Sequence, residues 1–348
     1  MIKFSEYVSP GHPDKVADYI SQYLLDRYIE RDPLTKYAVE VQIKGYHVTL
    51  GGEVSSRHRF SAQEIAQFVR EAVNEIGYTR DYQQIWGAEN TICGDKLNVS
   101  VYISHQSPDI AQGLDGWGDQ GIFFGYYAYK KQVLPINTFG LSLEHALAKR
   151  LCHGLFVSGL GGLDIKTQVV TEDDKVVKVI AAIPLLDDEG LVKVENLIRS
   201  YRSFSGCEVI VNGTGRYVQH SSVADCGTTG RKLAVDFYGG ACRIGGGSPW
   251  TKDGSKADLA LNLYARELAT QYARYYECDV FTSIACCIGK QEVEISVCDA
   301  ADNILWEGKE ITNPAELRRH YNLDKPIYAS MCRWGLFGEF QNDKPWEL

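Results

Sequence analysis

Residues 238–256 read YGGACRIGGGSPWTKDGSK, with Asp258 two places further on. The glycines let a backbone come close to an anion, and Arg243, Lys252 and Lys256 supply positive charge. None of the named phosphate loops fits: there is no G-x-x-x-x-G-K-[ST] and no G-x-G-x-x-G directly after a strand. The stretch reads either as a phosphate cradle or as a plain surface loop. Lys256 opens a long helical pattern, and the free N–H groups at a helix start favour anions. Asp258, in the first turn, suits a divalent cation or simply complements the helix dipole.

Other charged groups fall in separate loops. DCGTTGRK, at 225–232, puts Arg231 beside Lys232 after a Gly/Thr turn and ahead of the strand-like KLAVDFY. Arginine grips two phosphate oxygens in a fork and lysine acts as a point charge; a solvated strand edge is the alternative. In SPGHPDKVAD, Pro13 and Asp14 are ordinary first-turn residues of a helix. Equally, His12 as an acid and Asp14 as a metal ligand, with Lys15 beside them, make a reactive corner. LDIKTQV adds Asp164 and Lys166 at a strand start. QSPDIAQGLDGWGDQG, at 106–121, reads as a lid or a linker. Together, cations in three loops with carboxylates able to hold metal suit a polyphosphate bound in a dry cleft.

The scaffold must bring these loops together. A chain of 348 residues is long enough for two or three compact units. A net charge of −9 argues against broad nucleic-acid or membrane-surface binding, which needs a basic face. There is no apolar run of the ~18 residues that a membrane span needs, and the N-terminus lacks the pattern of a secretory signal. The ten cysteines match no zinc spacing. They read as free thiols in a reducing cytoplasm, with a vicinal Cys286–Cys287 disulfide as the rarer alternative.

Helix and strand patterns recur in one order. IKF, the helical DKVADYISQYLLDRYIERD, the hairpin YAVEVQI/YHVTLGGEV, the helix SAQEIAQFVREAVNEIG and the strand LNVSVYIS give β-α-β-β-α-β. Ser61 and Glu64 form a capping box there, and Gly77 marks the helix end. GIFFGYYAY, LSLEHALAKRLCHG, KTQVV, KVVKVIAAI, LVKVENLIRSY and EVIV repeat the order. A third round starts with KLAVDFY as a strand and continues through a long helix, VFTSIACCI, QEVEISVCD and NPAELRRHY. The expected units span 1–105, 117–219 and 221–348.

At this point the residues carry a family name. GHPDK, GGE, QSPDI…GDQG, DCGxTGRK and YGG…GGG…KDxSKxD occur in this order in methionine adenosyltransferase (S-adenosylmethionine synthetase). The chain resembles that family over nearly its whole length, with KPIY, GLFG and PWE similar to its tail. The resemblance implies an α+β fold of three βαββαβ domains related by a pseudo-threefold axis. It implies a dimer with sites at the subunit interface, often paired into a tetramer, acting on ATP and L-methionine. The implied reaction is attack of methionine sulfur on C5′ of ATP, displacement of intact tripolyphosphate, and its hydrolysis to pyrophosphate and phosphate. The sulfur is unprotonated and needs no base.

By the same resemblance, His12 stabilises or protonates the departing O5′, and Lys166 reaches the same region. Asp14 and Asp258 hold two Mg²⁺, with Glu6 near them. Glu40 corresponds to a K⁺ site. Lys15, Arg231, Lys232, Lys252 and Lys256 line the polyphosphate, with Arg231 suited to its hydrolysis. Glu53, Gln106 and Asp225 hold the ends of methionine, and Ile288 walls its methyl. Asp119 and Asp164 contact ribose or offset the sulfonium charge, and Tyr217 stacks on adenine. The chain departs from the family pattern at Pro10, Val39, Ile244 and SPWT (248–251), and its 106–121 segment is shorter. A relative tuned to another thioether or nucleotide, or a non-catalytic nucleotide-binding protein, are the rival readings.

Overall fold

Val16, Ile20, Leu24 and Tyr28 recur at helical spacing, and all four are buried along one helix. In the computed structural model, which describes residues 1–105, 116–129 and 137–348, the N-terminal third contains β1 (Ile2–Val8), α1 (Pro13–Arg31), β2 (Lys36–Lys44), β3 (His47–Ser55), α2 (Ala62–Ile76), α3 (Arg80–Trp86) and β4 (Asn98–His105). The capping box at α2 is present as expected: Ser61 accepts from Glu64 N–H, and Glu64 accepts from Ser61 N–H. The middle third contains β5 (Gly121–Tyr127), α4 (Leu143–Ser158), β6 (Lys166–Glu172), β7 (Lys175–Ala182), α5 (Asp188–Ser200) and β8 (Glu208–Val211). The last third contains α6 (Ser221–Ala224), β9 (Gly227–Thr228), α7 (Leu233–Asp236), α8 (Ala257–Tyr276), β10 (Val280–Cys286), β11 (Glu292–Asp299), β12 (Ile304–Ile311), α9 (Pro314–His320) and α10 (Tyr328–Arg333).

The fold is α+β; the described residues form three four-stranded sheets in the orders β4-β3-β2-β9, β1-β6-β7-β8 and β12-β11-β10-β5. Each sheet takes a strand from a neighbouring stretch of sequence. β1 pairs antiparallel with β6, β5 with β10, and the two-residue β9 with β2. The chain is therefore laced through three sheets. One face of each sheet packs on a long helix: β2 and β9 on α1, β1 and β6 on α4, β5 and β10 on α8. The opposite faces stay open and carry Phe4, Tyr102 and Ile122, each more than half exposed.

One expectation is corrected, and one strand was not foreseen. KLAVDFY is not a strand: Leu233–Asp236 is one helical turn, closed by Asp236 N–H donating to the Lys232 carbonyl at 3.0 Å. Val235 and Asp236, adjacent in sequence, are both buried, which an alternating strand with one covered face does not allow. The third sheet completes itself with β12 instead. That strand escaped notice because Glu307, Gly308, Lys309 and Glu310 give it little apolar alternation, as befits an exposed edge. All ten cysteines are free, Cys286 and Cys287 included.

Candidate active site

Pro13 starts α1 with its φ already set for a helix, and His12 caps it. His12 Nδ1 accepts the Asp14 N–H at 3.1 Å, so the imidazole proton sits on Nε2. The ring is 3% exposed. Burial first, then the charges of Lys166 and Lys232, push its pKa down to about 2. His12 is thus a neutral N–H donor. Tyr78 holds this loop from behind, its hydroxyl donating to the Gly11 carbonyl at 2.6 Å. Gly11 lies against the Leu163 backbone, where a Cβ would collide with the carbonyl.

Asp14 is buried and reaches the neighbouring loop. Oδ1 accepts Thr228 N–H at 2.9 Å and Oδ2 accepts the Lys232 ammonium at 2.7 Å. Arg231, half exposed, brings Nε to 3.7 Å from Oδ1. Lys166 opens β6 opposite Val8 of β1, with its side chain exposed. Asp164 is buried, and burial raises its pKa to about 6. Its Oδ2 accepts Ser221 N–H at 3.1 Å, while Oδ1 is buried without a partner. Tyr217, half-buried, donates its hydroxyl to the Asp164 carbonyl at 3.1 Å. Asp225 is exposed and acts electrostatically on both His12 and Asp164. His12, Asp14, Asp164, Lys166, Tyr217, Asp225, Arg231 and Lys232 therefore form one corner.

A second corner forms at the start of α8. Lys256 is the N-cap and Asp258 lies in the first turn, ion-paired to Lys252. Gly247 packs on Asp258 so closely that a Cβ would meet its carboxylate. Cys286, at the end of β10, donates its thiol to the Asp119 carbonyl at 3.4 Å and feels the charges of Asp119 and Asp258. Ile288 follows, 54% exposed. The corners share one edge of β2: Ala38 bridges to Lys252, Gln42 pairs with Thr228, and Glu40 between them accepts the Thr229 hydroxyl. Glu53 lies across from Ala38 in β3. Glu6 stands on the exposed face of β1, opposite Gln168.

Two expected site residues remain. Gln106 lies outside the described residues, as does most of the 106–121 segment. Lys15, expected on polyphosphate, points inward: it is 3% exposed and its ammonium binds Asp236 at 2.7 Å and Asp18 at 3.1 Å. The helix turns about 100° per residue, so Lys15 cannot share the face of Asp14. Residues that sequence reasoning missed hold these groups in place: Asp18, Thr229, Asp236 and Trp250. Asp18 was findable, standing four residues after Asp14 on the same helix face; the others become visible only on folding.

The chain matches the model of the S-adenosylmethionine synthetase N-terminal domain over residues 1–108 and that of the C-terminal domain over 220–348. It is 33% identical to an S-adenosylmethionine synthase of Mycobacterium sp. (strain KMS), covering 99% of this chain and 95% of the relative. The chain belongs to the S-adenosylmethionine synthetase family. A second member, from Acholeplasma laidlawii, is 34% identical over the same shares. Among solved structures, an unusual S-adenosylmethionine synthetase from Campylobacter jejuni superposes with a TM-score of 0.88 at 28% identity, covering 100% of this chain and 96% of that one. Within the synthetase fold, Trp250 of the SPWT segment is wholly buried.

The oxygen donors suit magnesium. Among the described residues no three His, Cys, Asp or Glu side chains gather into a metal cage. Mg²⁺ typically binds through one or two carboxylates plus substrate phosphates and water. Asp14 and Asp258 offer such single carboxylates, each now neutralised by a lysine.

Proposed function

We propose that this chain, a methionine adenosyltransferase by family, joins ATP and L-methionine into S-adenosylmethionine by direct attack of sulfur on C5′. The leaving group is intact tripolyphosphate, which the same site then splits to pyrophosphate and phosphate. The observation that carries this reading is the buried corner. A neutral His12 with its proton on Nε2 stands beside two cations, Lys166 and Lys232, whose charges it feels. Such a group donates a hydrogen bond to the departing O5′ and need not give up its proton. Charge grows on the leaving oxygens in the transition state, and fixed donors there lower the barrier more than groups that must reorganise.

The remaining roles are those that the family resemblance implies. Lys166 supports the adenosyl-transfer end. Arg231, Lys232, Lys252 and Lys256 take the phosphates, with Arg231 directed to hydrolysis. Asp14 and Asp258 would hold Mg²⁺, which when bound would neutralise phosphate oxygens, and Glu40 with the Thr229 hydroxyl beside it would hold K⁺. The unpartnered Asp164 Oδ1 accepts from ribose or faces the sulfonium, as Asp119 does from the other corner. Tyr217 stacks on adenine. Glu53, Gln106, Asp225 and Ile288 enclose methionine, and Glu6 lies at the margin. We place the enzyme in the cytoplasm; no helix among the described residues is long and apolar enough to cross a membrane.

Self-association completes the site in this reading. The open sheet faces with Phe4, Tyr102 and Ile122 are surfaces that a second copy covers, and the exposed second corner then meets the partner's buried one. The test is direct: purified protein with ATP, methionine, Mg²⁺ and K⁺ yields S-adenosylmethionine, pyrophosphate and phosphate by mass spectrometry. Absence of product and of phosphate release would sink the reading.

A further inference from the structure

One ridge of α1 holds both phosphate-facing loops. Asp14, Asp18 and Gln22 follow at four-residue intervals and so stand one above another on the helix. Asp14 Oδ1 accepts Thr228 N–H at 2.9 Å, and Asp18 Oδ1 accepts Gly230 N–H at 2.8 Å. These bonds fix the chain just before Arg231 and Lys232. Gln22 Nε2 donates to the Pro249 carbonyl at 3.3 Å, fixing the turn just before Lys252. Trp250 ties the same turn from its other side. Its indole N–H donates to Asp236 Oδ2 at 2.8 Å, and the Lys15 ammonium lies 4.8 Å from its ring centre. Gly230, Asp18, Lys15, Asp236 and Trp250 thus form one unbroken buried chain of polar contacts between the two loops.

Lys252 needs this support. Its partner Asp258 is 19% exposed and Lys252 itself 26%, and a partly exposed ion pair contributes only ~0–1 kcal/mol. Such a pair does not hold a flexible side chain in place. Gln22 is itself a poor choice for stability alone: its Oε1 is buried with no partner, and a buried orphan acceptor is costly. What the amide gains in return is the bond to Pro249.

We propose that Gln22 and Trp250 are positioning residues for Lys252: together they fix the 248–252 turn so that the ammonium faces polyphosphate before substrate arrives. The proposal rests on the reading of Lys252 as a polyphosphate group. The test uses Gln22→Met, Trp250→Phe and Lys252→Met in the full chain, each singly, and the first two again in the Lys252→Met background. Gln22→Met removes the donor and the orphan acceptor together at similar length, so its unfolding midpoint stays near that of the parent protein. The KM for ATP rises about fivefold in Gln22→Met and Trp250→Phe, the value of one hydrogen bond. In the Lys252→Met background the same changes shift KM by less than about twofold, because they act through Lys252.

Unchanged KM in both single variants, with only the unfolding temperature lowered, overturns the proposal. So does full additivity in the Lys252→Met background. If Trp250→Phe fails to fold, Gln22→Met decides alone. If Lys252→Met leaves the ATP KM unchanged, the underlying reading of Lys252 fails. A normal Lys252 effect with silent Gln22→Met and Trp250→Phe overturns the positioning role alone.

Discussion

The two corners of the site are built differently. At the α1 corner, His12, Asp14 and Asp164 are each at most 3% exposed and tied to backbone N–H groups, His12 to its own helix and the two aspartates to other segments. At the α8 corner, Lys252, Lys256 and Asp258 are only half-buried, Asp119 is exposed and Ile288 is 54% exposed. Buried groups with fixed partners are already arranged for a transition state. The half-open α8 corner has only a weak ion pair between its own side chains, and it depends on the ties that hold its 248–252 turn. Under the proposed function, the difference falls between the bond-making end of the site and the phosphate-holding end.

The largest expected effect comes from breaking the buried corner. His12→Ala lowers kcat for adenosyl transfer by about 10²–10³, the usual loss for one preorganised donor. Hydrolysis of added tripolyphosphate falls much less, and steady-state assays of the two steps check this. Next come Lys166→Met and Arg231→Leu, which sharpen the division. The lysine change slows adenosyl transfer far more than tripolyphosphate hydrolysis, and the arginine change does the reverse. Equal damage to both steps by both variants would refute separate roles.

The smallest effect concerns stability. His220 is buried beside the first corner. Its Nδ1 lies 2.7 Å from the Val218 carbonyl and its Nε2 2.6 Å from the Tyr82 hydroxyl. Burial lowers its pKa to about 4, against an ordinary value near ~6.5 in the unfolded chain. Between those values the unfolded chain binds the extra proton, so stability is lost as pH falls. At pH ~5 the loss from this one ring is about 2 kcal/mol relative to neutral pH. His220→Asn removes about one proton from the slope of unfolding free energy against pH between ~4 and ~6.5, measured by denaturant titration.

Much of the scaffold was legible because local chemistry decides it. The capping box of Ser61 and Glu64, the Pro13 helix start and the β2–β3 hairpin each depend on near neighbours in the chain. KLAVDFY misled because its alternation of apolar residues is a local signal, overruled by the need to bury Val235 and Asp236 together. β12 was hidden because an edge strand carries charges instead of a two-residue apolar period. At the site, His12, Asp14, Lys166, Arg231 and Lys232 stood out by type and order, and the fold brings them into one corner. The place of Lys15 was not legible, since the partners that draw it inward, Asp18 and Asp236, lie on two different elements.

The sequence by itself determined the chemical inventory: cations in separate loops, carboxylates at two helix starts, and a histidine beside one of them. It determined the long helices too, since their periods and caps are set within a few residues. Only the tertiary structure decided which loops face one another. β1, β5 and β9 leave their own stretches to join distant sheets, and strand pairing over such separations depends on burial across the whole molecule. The same holds for Lys252. The loop with its glycines and lysines could be read in one dimension. That Gln22 and Trp250 tie its 248–252 turn to α1 and Asp236 follows from packing, which no local pattern encodes.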